Sequence, residues 1–548
     1  MMDQPYCFGP FRRLSVLVKR GIWCFPQLAT RNSQLRIQHS ALASRPGQLL
    51  LALIALTATL LAQTASPEQR TARYMESVRQ KPPQLLAFIK GMPKGGDLHN
   101  HLFGAIYAES LIDYAAKDGL CVDHTTSFLI APPCDPCQKY ANKPAIACAY
   151  QDQGLYNQIV DAWSMRNWSR SEDSGHDHFF ASFYKFDLAT KLHIGDMIAD
   201  ALRQEAADHV TYLELMHTAD AGKVPELAEK IGWSDNFSAL RDKLLAGGLK
   251  EVIEGTRQVL DRDEAKARAD MKCGTPQAEP GCTVELRYLY QVLRGLSPEA
   301  VFAQILTGFE LASSDPRFVG VNLVMPEDWY VPMHDFDLHM RMMDYLHGVY
   351  PKVHISLHAG ELAPGLVPPE GLAFHIRESV ERGHAERIGH GVSVMEETNA
   401  TELLKQMAKR NVLVEICLTS NDVILGVRGD EHPFPTYRQY GVPVALATDD
   451  EGVSRSDMTR EYTRAAEDYG LKYADLKNLA RASLEHSFLA GNSLWADAKT
   501  FRRAQACAAD DPGRSTTSAG CSDFLKANER AAAQWRLEQQ FSEFERRF

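Results

Sequence analysis

Gly96-Asp97-Leu98-His99-Asn100-His101-Leu102 is a run of strand length that carries two imidazoles at i and i+2. Successive strand residues point to opposite faces, so His99 and His101 face the same way. That placement suits two ligands on one metal, and a His-x-His alone is equally the pattern of two ordinary histidines. Seven further runs of strand length follow: residues 210–217 (VTYLELMH), 284–291, 318–325 (FVGVNLVM), 353–358 (VHISLH), 387–391, 412–418 (VLVEICL) and 442–448 (VPVALAT). Near-continuous apolar runs are the signature of buried parallel strands. Residues 224–231, 298–313, 336–349, 369–382 and 399–410 lie between them with helical spacing of Leu, Ala and Met. Eight strands alternating with helices predict an α/β fold, a (β/α)8 TIM barrel.

The informative polar residues stand where these strands end. His358 closes the fifth in His358-Ala359-Gly360-Glu361, His390 the sixth in Arg387-Ile388-Gly389-His390-Gly391, and Asp449-Asp450 the eighth. A barrel gathers such positions at its C-terminal rim, where these folds carry their sites. The expected metal sphere is His99, His101, His358 and Asp449 with a water. Three nitrogens and one or two oxygens suit one Zn²⁺ per chain, with Fe²⁺ or another divalent ion as the alternative.

Outside the alternation, the chain of 548 residues has three expected additions. Residues 49–62 (LLLALIALTATLLA) follow Arg31, Arg36 and Arg45 and precede Ala62, Thr64 and Ala65. This is too short for a comfortable membrane span and of the right length for a signal-peptide core. A buried helix and a retained anchor are the other readings. Residues 1–65 are therefore expected to be a leader, and the protein to be secreted or periplasmic without stable membrane insertion. Residues 66–500 are expected to form the barrel, with a cysteine-bearing insertion at 121–178. Residues 501–548 are expected to form a disulfide loop and a helix that, with the insertion, could serve a homodimer interface.

The leader holds seven of the 59 Lys and Arg and one of the 70 Asp and Glu, so the rest carries 52 against 69, a formal charge of −17. An acidic surface repels polyanions, which argues against nucleic acid as a partner. Nine cysteines remain beyond the leader. In an oxidising compartment their local, mostly even groups read as disulfides. Cys273–Cys282 and Cys507–Cys521 are expected, with two more bonds among Cys121, Cys134, Cys137 and Cys148. Cys417 is expected as a buried free thiol. Pro133-Cys134-Asp135-Pro136-Cys137 also reads as half a zinc-deaminase signature, but the only His-x-Glu, His384-Ala385-Glu386, lies downstream in the wrong order. A redox CxxC lacks the surrounding βαβ pattern.

Taken together, GDLHNHL, HAGE, RIGHG, EICLTSN and ATDD resemble the adenosine deaminase family of the metal-dependent amidohydrolase superfamily. With the leader and insertion, the chain looks most like the secreted, growth-factor-related branch. The match runs from about Met92 to Leu489. The resemblance implies zinc on His99, His101, His358 and Asp449, and hydrolytic deamination of adenosine and deoxyadenosine through hydroxide attack at C6. It implies that His390 orients the water and assists its deprotonation, that Glu361 protonates N1, and that Asp450 meets N7. Phe179 and Phe183, in HFFASFYKF, match the family's apolar flap over the base, and Ser420 and Asn421 its TSN element. Simpler readings are a helix-terminal carboxylate for Glu361 and core packing for the two phenylalanines.

The chain also departs from the family pattern. Phe103 stands where many members carry an acid, Met325 where a glycine ends the fourth strand motif, Glu451 where proline follows the paired aspartates, and Leu418 where proline is common. These departures leave open another aminopurine nucleoside or derivative as substrate. An extracellular nucleoside-binding or signalling module is the reading from another class.

Overall fold

All eight expected strands are present and parallel: β1 (Gly95–His101), β2 (Val210–His217), β3 (Glu285–Leu293), β4 (Phe318–Val324), β5 (His354–Ala359), β6 (Arg387–His390), β7 (Leu413–Ile416) and β8 (Val444–Leu446). The computed structural model describes residues 65–138, 141–169 and 173–548. The expected leader, apart from Ala65, lies outside them. No helix among the described residues is long and apolar enough to cross a membrane.

Each strand pairs with the next in chain order. The last returns to the first through an isolated bridge between Asn100 and Asp449. There the Asp449 N–H donates to the His99 carbonyl at 2.8 Å and the His101 N–H to the Asp449 carbonyl at 3.2 Å. The barrel therefore closes on the segments that carry three of the four expected metal ligands. Closure asks Asp449 to adopt a left-handed φ of 62°. Such a backbone in a non-glycine residue costs about 1–3 kcal/mol and persists only where the surroundings enforce it.

Helices cover the strands. Pro298–Ser314 is representative: Pro298 opens its first turn, where no N–H partner is needed, and Pro316 stops it. Eleven of its residues are buried against the barrel. Several expected elements are shorter than their sequence patterns, among the strands the eighth most, at Val444–Leu446 against 442–448. Residues 369–382 give a 3₁₀ turn at Pro369–Leu372 and a helix only over His375–Glu381. Leu418 leaves the seventh strand to begin the helix Leu418–Leu425. At Leu418 the apolar run continues past the point where strand pairing ends.

The insertion is a hairpin of Cys121–Val122 against Leu129–Ile130, followed by the helix Gln153–Ala162. Asp152 caps that helix by accepting from the N–H groups of Gly154 and Leu155. The next helix, Gly175–Thr190, begins inside the expected insertion and runs on past it. Disulfides join Cys121 to Cys134, Cys137 to Cys148, Cys273 to Cys282, and Cys507 to Cys521. Cys134 and Cys137 thus belong to different bonds, which removes both the redox and the zinc reading of that motif. Cys417 is free and buried. The C-terminal helix Glu529–Glu545 buries Trp535, Leu537, Phe541 and Phe544 within the chain. Lys477 ties it down by bonding both Glu545 at 2.6 Å and Glu68 at 2.9 Å.

Candidate metal centre and active site

His99 and His101 end β1, His358 lies near the end of β5, and Asp449 follows β8. Their ligand atoms all fall within 4.8 Å of one another. His99 Nε2 and His101 Nε2 stand 3.4 Å and 3.3 Å from Asp449 Oδ1, and His101 Nε2 is 3.2 Å from His358 Nε2. Gly389 allows the close approach. A Cβ there would meet His99 Cε1 at 2.5 Å.

Each of the three imidazoles is held by its other nitrogen. His99 Nδ1 donates to Glu415 Oε2 at 2.7 Å, His101 Nδ1 to Gln291 Oε1 at 2.9 Å, and His358 Nδ1 to Asn322 Oδ1 at 2.8 Å. Asn322 Oδ1 also accepts the His358 backbone N–H at 3.0 Å, which fixes the orientation of that amide. With the proton on Nδ1, every Nε2 presents a lone pair. Lone pairs converging beside a carboxylate need a cation between them, so the donor set fits a divalent metal. Burial works against a charge on Asp449, yet the histidines around it hold its carboxyl well below the usual carboxylate range. Ser420 Oγ donates to its other oxygen at 2.6 Å.

Beneath the cluster lies a buried ion network. Arg387, from β6, stands 2.6 Å from Glu415 Oε1 and 2.5 Å from Glu214 Oε2, with its guanidinium 3.8 Å from the Phe488 ring centroid. Ser356 Oγ donates to Glu415 Oε1 at 3.0 Å. Glu415 therefore keeps its charge despite complete burial, chiefly through Arg387 and then His99.

Glu361 follows β5 by two residues. Burial pushes its carboxyl well above the usual range, and Asp449 and Glu327 push the same way. Glu327 positions its loop, accepting the N–H of Gly360 at 2.9 Å and of Glu361 at 3.4 Å. Arg294, also buried, stands 3.6 Å from Glu327 and bonds the carbonyls of Met325 and His358. His390 lies 4.8 Å from His99 and 5.1 Å from His358 between ring centroids. Burial pushes it down to about 3, so its ring is neutral. Asp450 is pushed up to about 7 by burial, against the pull of His101.

A cavity of about 840 Å³ opens over this cluster, lined by His101, Glu361, Asp449 and Asp450 at its floor and by Phe103, Phe179, Phe180, Phe183, Met325 and Trp329 around it. Phe179 is fully buried and Phe183 half-buried on the helix Gly175–Thr190. His176 of that helix bonds Asp328 at 2.9 Å, which ties it to the loop after β4. Met325, at the family's glycine position, takes a left-handed φ of 85°.

His99, His101, His358, Glu361, His390 and Asp449 come together at this one rim, and Phe179, Phe183 and Asp450 line the cavity over it. Gln291, Asn322, Arg387 and His432 were not assigned roles there. The available signal for Asn322 was a polar residue inside an otherwise apolar strand.

The adenosine deaminase family model matches residues 260–494. An adenosine deaminase of Aliivibrio fischeri is 35% identical over 405 residues, covering 73% of this chain and 95% of that protein. An adenine deaminase of Rhizobium leguminosarum is 31% identical over 137 residues, covering 25% of this chain and 39% of that protein. Among solved structures, the N6-methyl-AMP deaminase of Arabidopsis thaliana superposes with a TM-score of 0.47 at 21% identity, covering 76% of this chain and 97% of that one. With 35% of the aligned residues identical across nearly the whole length of the Aliivibrio enzyme, the chain belongs to the adenosine deaminase family of the amidohydrolase superfamily, enzymes that deaminate aminopurines.

Proposed function

We propose that this chain is a zinc-dependent hydrolase that converts adenosine and deoxyadenosine to inosine or deoxyinosine and ammonia. The observation that carries the reading is the convergence of His99, His101, His358 and Asp449 ligand atoms within 4.8 Å of one another, with Glu361, a buried carboxyl pushed well above its usual range, on the same rim. His99, His101, His358 and Asp449 would hold the metal. A bound zinc ion lowers the pKa of a coordinated water towards neutrality. Glu361 gives its proton to N1, which draws charge away from C6 as that carbon becomes tetrahedral. Asp450, close to neutral pH in its affinity for a proton, meets N7. His390 fixes the position of the attacking water. The aromatic walls exclude bulk solvent from the base.

Phe103 and the surrounding rings favour a second reading of the substrate. The residue after Leu102 offers no acceptor for a sugar hydroxyl and instead extends an apolar wall. An aminopurine with an uncharged, apolar substituent fits that wall better than a nucleotide. Zinc-loaded protein should be assayed on adenosine, deoxyadenosine, adenine, adenosine monophosphate and an adenosine with an apolar 5′ group. Ammonia release from a nucleoside supports the proposal. Turnover of adenine or the nucleotide alone would move the substrate assignment, and no turnover of any aminopurine would overturn the activity.

A further inference from the structure

His390 differs from the other three imidazoles in what its Nδ1 faces. Glu415, Gln291 and Asn322 present acceptors to theirs. The Nδ1 of His390 faces the Asn421 amide, with Nδ2 at 3.0 Å. The orientation of that amide follows from a backbone group. The Phe434 N–H donates to His432 Nδ1 at 3.1 Å, so this nitrogen is an acceptor. A neutral imidazole that accepts at one nitrogen carries its proton on the other. His432 Nε2–H therefore donates to Asn421 Oδ1 at 3.0 Å. Asn421 is left with its NH₂ towards His390, whose Nδ1 must accept and whose Nε2 must carry the proton. His432 and Asn421 are both buried, so no water competes for these bonds. The remaining neighbour of His390 Nδ1 is Glu361 Oε1, at 3.7 Å. His390 Nε2 is buried with no hydrogen-bond partner among the described residues.

We propose that His432 and Asn421 lock His390 as a hydrogen-bond donor at Nε2, so that His390 holds the attacking water by its oxygen and does not take its proton. This replaces the assisting-base role expected from the family resemblance. Its catalytic half rests on the hydrolytic reading above; the proton arrangement does not. His432 and Asn421 are positioning residues, since neither reaches the reacting atoms.

The test uses the zinc-loaded full chain labelled with ¹⁵N-histidine and two-bond ¹⁵N–¹H correlation spectra. The expected result is the Nε2–H form for both His390 and His432, assigned by difference against the position 390 and 432 variants. Asn421→Asp is isosteric and presents a carboxylate to Nδ1, which reverses the tautomer and strips Nε2 of its proton. Loss of a preorganised donor of this kind costs about 10²–10³ in kcat. Asn421→Asp should lose that much with KM within a few-fold. His432→Gln, whose amide again accepts and donates, should retain most of the activity that His432→Leu loses. An Nδ1–H signal for His390 in the wild-type protein overturns the lock. So does an Asn421→Asp variant that keeps or gains kcat, as a base would. Where Asn421→Asp does not fold, the wild-type spectrum and the His432 pair decide. If no aminopurine is turned over, the spectrum still decides the lock while the functional reading falls alone.

Discussion

Replacing Glu415 with glutamine removes one buried charge and leaves a single carbonyl oxygen for two demanding neighbours. They are His99, whose Nδ1 donates at 2.7 Å, and the Arg387 guanidinium, ion-paired with its Nε 2.6 Å from the opposite oxygen. One of them must then face the new NH₂ group and lose a charge-assisted interaction of about 1.5–3 kcal/mol. Arg387 cannot give up a proton, although it keeps Glu214 at 2.5 Å as a second partner. His99 can move its proton from Nδ1 to Nε2. The cheaper outcome turns the NH₂ towards His99 and places a proton on the nitrogen that would ligate the metal. Loss of such an outer partner lowers metal affinity about 10–100-fold, or roughly 1.4–2.7 kcal/mol. Zinc affinity measured by competition with a chromogenic chelator reads this directly. Melting in the presence of excess chelator should show a much smaller loss, because Arg387–Glu214 remains a compensated pair. Zinc affinity within threefold of wild type would refute the reasoning that Glu415 sets the His99 tautomer.

Other consequences are open to direct measurement. Glu361→Gln keeps the shape and removes the acid, so kcat should fall about 10²–10⁴-fold with little change in KM, measured by steady-state kinetics on the preferred substrate. Glu397 accepts the N–H groups of Ile376 and Arg377 at 2.6 Å and 3.3 Å, and burial pushes its carboxyl up to about 7. The folded state therefore binds the proton more tightly than the unfolded state, and stability is lost as pH rises from about 4.5 to 7, by roughly 3 kcal/mol. Melts of Glu397→Gln against wild type should converge at pH 4.5 and favour the variant at pH 8; parallel curves would contradict this. Removing the Cys273–Cys282 bond, which spans 9 residues of sequence, should cost about 2–3 kcal/mol in unfolding free energy and leave kcat unchanged.

Much of the site is legible in the sequence because each strand end announces itself locally. Asp449-Asp450 after VPVALAT and His358 after VHISL are polar residues at points where an apolar run has no reason to change character. The pairing of Cys273 with Cys282 is legible for a similar reason, since the two lie close in the chain and bracket a loop. Pairing among Cys121, Cys134, Cys137 and Cys148 is not, because four neighbours allow three connectivities and only the folded hairpin selects one. Asn421 stood out in the sequence, but its direction did not. An amide's orientation is set by whatever lies on both sides of it, here His390 and His432.

What the sequence determines alone is the period and order of the elements, and hence a barrel with His99, His101, His358, Glu361, His390 and Asp449 on one rim. A short apolar run ending in a polar residue is a local property, and it needs no partner to be read. What tertiary structure decides is which nitrogen of each imidazole carries the proton. That depends on Glu415, Gln291, Asn322 and Asn421, which lie up to 316 residues from the histidines they hold. The longest of them, from Glu415 to His99, exists only once β8 has closed on β1, because a hydrogen bond acts over about 3 Å and strand closure is what brings such distant residues within it.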